Sequence, residues 1–322
     1  MRLQIPTLLT LLTTAVPLTL AQSRPNDTTI CDFYTTALLK DNTAANQLKL
    51  LTLIVNTVVI GNYTTPNVGI AVPGILAPGK FNGTEVNLAP FFDGALFSTN
   101  DGKSEGSAVN FLDGGGAKPL MENKAADDDK KDSRQYNLLT HLYEFFGSLL
   151  GCSQQGMDDY PAYNGVASMY EVHKFMNLDA FQIGYFIQQV ALSAASFGVA
   201  KEDLEVVGAA LDKLFNKRCS PATVVIPSAG PQLESMCIAS SCPLDPMAAC
   251  GLYDKEGTGT PPKVANASLA GNTSSTASAS ATGTASATAS KPTTTTPTGG
   301  AAVERVGSFA AVAGAVLLAF AL

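Results

Sequence analysis

Residues 266–298 are almost entirely Ser, Thr, Ala, Gly and Pro. A tract of that composition has no apolar periodicity with which to build a core. It reads as a disordered, O-glycosylated stalk, and it confines the folding problem to what precedes it. The two ends are set apart as well. Met1-Arg2, an apolar run from Leu3 to Leu20 and then Ala21-Gln22 read as a secretory signal cleaved after Ala21. Residues 306–322 form an apolar tail behind small residues and a short polar spacer, the pattern of a GPI-attachment signal with its ω site at Gly299 or Gly300. The tail is near the shortest length that spans a bilayer and has no basic stop after it. An N-terminal anchor and a tail-anchored helix are the alternative readings of these ends. About residues 27–250 remain, enough for one globular domain.

The expected organisation is therefore a signal peptide at 1–21, a folded domain at 27–218, a Cys-rich collar at 219–250, a stalk at 251–299 and a GPI propeptide at 300–322. Sequons at Asn26, Asn62, Asn82, Asn266 and Asn272 suit a secreted chain. The six cysteines, Cys31, Cys152, Cys219, Cys237, Cys242 and Cys250, imply disulfides, with connectivity open. Four of them fall in the Pro-rich stretch 219–250, which reads as a stapled collar; zinc is the rival reading. The location that follows is the outer face of the plasma membrane or the cell wall, with membrane contact through the anchor and cell-wall glycans as further partners. With 20 basic and 27 acidic residues the net charge is −7, which argues against a nucleic-acid partner.

The folded region reads as mostly helical. Residues 43–60 have apolar positions three and four apart, although the β-branched run at their end would also suit a buried strand. Residues 61–87 and 100–133 read as loops, the second an exposed excursion. Residues 134–150 repeat Leu138, Leu142, Phe145, Phe146 and Leu149 and stop at Gly151, the mark of an amphipathic helix. A short helical segment at 168–176, a helix capped by Asn177 or Asp179 and a last helix at 201–217 follow.

Only two histidines exist, His141 and His173. That excludes a site needing three imidazoles, and no His-Glu-x-x-His, Cys-x-x-Cys or Gly-x-Ser-x-Gly motif is present. No catalytic residue is assigned. His173 lies between Met169 and Met176 on an apolar face. It reads either as a core histidine bonded to a carbonyl or as the axial ligand of a haem, whose apolar disc needs a greasy slot and one nitrogen.

Several segments resemble the truncated haemoglobins. Ser168-Met-Tyr-Glu-Val-His173-Lys-Phe-Met-Asn-Leu178-Asp-Ala-Phe181 looks like the proximal region, and Tyr163-Asn-Gly165 like the turn before it. Phe197-Gly-Val-Ala-Lys-Glu-Asp-Leu204 resembles the joint between the last two helices. Leu88-Ala-Pro-Phe-Phe92 resembles the segment that packs on haem, and Phe145-Phe146 the end of the distal helix. The resemblance implies an all-α, truncated-globin-like helical sandwich with loop insertions, chiefly at 94–132, in a build like that of fungal surface proteins. It implies haem b held by His173, with His141 as a second iron ligand; a propionate contact or a surface position is the alternative for His141. Asn56 stands near the family's ligand-bonding Tyr, while Leu138, Leu142, Phe145, Phe92 and Met169 line the slot. Oxygen, nitric oxide or peroxide would be the ligands, and sensing or haem capture the role. The alternative is a structural surface glycoprotein whose domain has lost haem.

Overall fold

Most of the helices begin where a side chain can take over a free backbone N–H. In the computed structural model, which describes residues 24–270 apart from 66–67, 101–102 and 104, Thr29 caps α1 (Ile30–Leu39) and Thr43 caps α2 (Ala44–Ile60). A short α3 (Ala117–Met121) follows. Ser133 caps α4 (Arg134–Leu150), which ends at Gly151 in the left-handed conformation, φ 72°. Ser168 caps the one-turn α5 (Met169–His173). Asp179 and Gln182 form a reciprocal capping box on α6 (Ala180–Ser196). Then come α7 (Lys201–Phe215) and α8 (Ala267–Ala270). The signal segment, most of the stalk, Asn272 and Gly299–Gly300 lie outside the described residues.

The core is built around α2. Its β-branched run is helical, and Leu50, Leu51, Val55, Val58 and Val59 are buried where α2 meets α1, α4 and α6. Burying side chains of this size stabilises by about 1.5–3 kcal/mol each. The α4 face turned inward is Leu139, Tyr143, Phe145 and Phe146; Leu138, Leu142 and Leu149 are half-buried.

The all-α, globin-like sandwich is corrected. Residues 79–86, read as loop, form an antiparallel hairpin of β1 (Gly79–Phe81) and β2 (Thr84–Val86). The reason lies in its turn: Asn82 and Gly83 both have positive φ, 49° and 81°, as a type I′ turn requires. The hairpin is seated on α6. The Tyr185 ring fills the space a Cβ on Gly79 would take, and the Phe81 ring does the same at Gly184.

The collar is also no appendage. Cys237 N–H donates to Phe215 O at 2.8 Å and Ile238 N–H to Leu178 O at 3.1 Å, so the strand-like segment fills the groove beside α6 and α7. Residues 251–270, read as the start of the stalk, fold back on the same unit: Gly259 N–H meets Ile238 O, and Ala265 N–H meets Ala95 O, both at 2.8 Å. The excursion before α4 is pinned rather than loose. The buried Gln135 amide accepts from Gly116 N–H and donates to Gly116 O and Ala125 O. One side chain thus satisfies three backbone groups that would otherwise need water.

Candidate functional site

The two histidines have separate hydrogen-bond partners. His173 closes α5, and its Nδ1 donates to Met169 O at 2.8 Å. Burial holds its pKa below the usual imidazole range. A neutral ring with its proton on Nδ1 follows, leaving Nε2 as an acceptor. His141, midway along α4, has Nε2 2.9 Å from Asn164 Oδ1 and its ring edge-on to Tyr163, 5.7 Å between centroids. The 163–165 turn lies directly on this imidazole. A Cβ on Gly165 would strike the Tyr163 ring and crowd His141 Nδ1, so only glycine allows that approach.

The other residues the haem reading groups together are dispersed. Tyr163 fills the space between His141 and Phe145, and Phe145 also packs on Phe215. Asn56 is fully buried elsewhere, accepting from Tyr143 OH at 2.6 Å and donating to Leu120 O at 3.1 Å. Phe92 and Leu138 line a cavity of about 10 Å³, room for one water. Leu142 lines a different cavity, and Met169 gives its N–H to Glu234. Neither histidine lines either of these two cavities, and the α4 imidazole is covered by Tyr163–Gly165. Among the described residues no group of three or more His, Cys, Asp or Glu side chains is placed to hold a metal ion.

Two carboxyls that the sequence reading did not single out lie beside this region. Glu234, 1% exposed, accepts the Met169 N–H at 3.1 Å through Oε2, while its Oε1 is buried without a partner. Glu144, 7% exposed, takes the Asn164 N–H and leaves Oε2 buried and unpartnered. Burial pushes each pKa up to about 7, so both hold a proton well above the ordinary carboxyl range. Both act on Tyr163, whose phenol burial raises as well. Glu144 carries a weak sequence signal, a charge between the aromatic residues Tyr143 and Phe145. Glu234 carries none, because its burial is made by the collar folding back.

The larger cavity, about 60 Å³, lies between α1, α2, α4, α6 and α7. Leu51, Val55, Leu142, Phe146, Val190 and Gly208 are among its walls, which are apolar apart from Tyr34. The Tyr34 hydroxyl is engaged in a clasp joining α1 to α7. It donates to Asp203 Oδ2 at 2.9 Å and accepts from Ala200 N–H, and Arg24 pairs with Asp203 Oδ1 at 2.9 Å.

No protein-family model, curated protein or solved structure matches the chain.

Proposed function

We propose that the chain is an extracellular, surface-tethered glycoprotein with a helical unit followed by a Ser/Thr-rich stalk. The observation that carries this reading is the state of the cysteines. All six pair, as Cys31–Cys152, Cys219–Cys250 and Cys237–Cys242. Disulfides persist in oxidising compartments. The first bond spans 121 residues and joins α1 to the segment after α4.

The sequons agree with that compartment. Asn26, Asn62, Asn82 and Asn266 are all exposed, and Asn82 stands at the tip of the β1–β2 turn. Tethering rests on the tail and the small residues around Gly299 and Gly300. The test is enzymatic. Phosphatidylinositol-specific phospholipase C should release the chain from intact cells, and peptide N-glycosidase should lower its mass. A chain that stays with the membrane after the lipase, and whose mass the glycosidase leaves unchanged, would overturn the reading.

A further inference from the structure

We propose that the cavity between α1, α2, α4, α6 and α7 is a binding site for one very small apolar molecule, a hydrocarbon of two or three carbons. The chemistry of the walls excludes most other occupants. Leu51, Val55, Leu142, Phe146 and Val190 offer neither donors nor acceptors, and the one hydroxyl, Tyr34 OH, is already committed to Asp203 and Ala200. Water inside such a space has too few partners to be retained, whereas apolar cavities of this kind stay dry and accept small hydrocarbons.

Size sets the limit. A water-sized probe occupies about 10–15 Å³ of such a volume. The cavity measures about 60 Å³, under half of the roughly 150 Å³ apolar cavity that takes one benzene, so it admits about three non-hydrogen atoms. A haem, a sterol or a long acyl chain is too large.

The space is kept by small residues. Gly208 lies inside α7, where glycine is a poor helix former, and a Cβ added there would meet nothing within 4 Å. Ala191 and Ala194 of α6 line the same cavity. A wall needed only for packing would carry larger side chains at these positions.

This inference is independent of the tether. The test is thermal unfolding of the full secreted protein with cyclopropane as the probe and benzene as the oversized control. Cyclopropane at ten times its dissociation constant should raise Tm by about 3–6 °C, and benzene should not. In Ala194→Leu, which enlarges a side chain of the cavity wall, the cyclopropane shift should vanish. If that variant does not fold, Ala191→Val should weaken the shift instead. No shift with saturating cyclopropane would overturn the proposal. So would an equal shift in a filled variant, or a shift with benzene alone.

Discussion

Replacing Glu234 by Gln should flatten the pH dependence of stability. The carboxyl is 1% exposed, takes one N–H from Met169 and leaves Oε1 buried without a partner. The titratable groups facing it are the phenols of Tyr163 and Tyr253. Burial raises its pKa from 4.5 to about 7. The folded chain thus keeps the proton up to about pH 7, while the unfolded chain releases it near 4.5. The stability this group contributes is complete below pH 4.5 and is lost as pH rises through 7. The gap corresponds to roughly 3 kcal/mol. Glu144 titrates in the same direction and window, so the native protein should be an acid-stabilised one. With no tryptophan in the chain, urea unfolding is followed by circular dichroism at pH 4.5, 6.0 and 7.5. Gln keeps an acceptor for the Met169 N–H but cannot ionise. In Glu234→Gln the loss of stability between pH 4.5 and 7.5 should shrink by up to about 3 kcal/mol. All other carboxyls titrate in both proteins and cancel in the difference. Parallel pH curves for the two proteins would refute the reasoning.

Gly208→Ala should stabilise the protein by about 1 kcal/mol, because alanine is the better helix former and its methyl enters open space. A thermal melt should show Tm higher by about 2–4 °C; a fall would mean the α7 wall has no room. The double substitution Cys31→Ala, Cys152→Ala should destabilise by about 4–5 kcal/mol in the chain-entropy account, since the bond spans 121 residues. Denaturant titration checks this, and unchanged stability would mean the bond is not formed in the native protein.

The helices were legible because their boundaries are chemical. Ser133 and Gly151 bracket α4, and Asp179 with Gln182 opens α6, so local hydrogen bonding alone fixes where these elements start and stop. The hairpin was legible too, in Asn82-Gly83, but the surrounding Pro, Gly and Asn residues made the whole stretch read as loop. The role of the collar was not legible. Its residues have no period of their own, and what buries Glu234, Ser235 and Cys237 is the backbone pairing of this segment with Phe215 and Leu178.

The candidate site divides along the same line. Apolar residues at helical spacing say that a face is covered, not what covers it. Leu138 and Leu142 share a stripe with Phe145, yet each of the three meets a different environment: a one-water cavity, the larger cavity, and the Tyr163 and Phe215 rings. A histidine between two methionines is equally silent about its second nitrogen; here Nδ1 satisfies the Met169 carbonyl, a bond available to any histidine ending a helical turn. A cavity is harder still to read, because it consists of atoms that are missing. Its one local trace is a glycine inside an amphipathic helix, and Gly208 becomes informative only once α1, α2 and α4 are known to lie across from it.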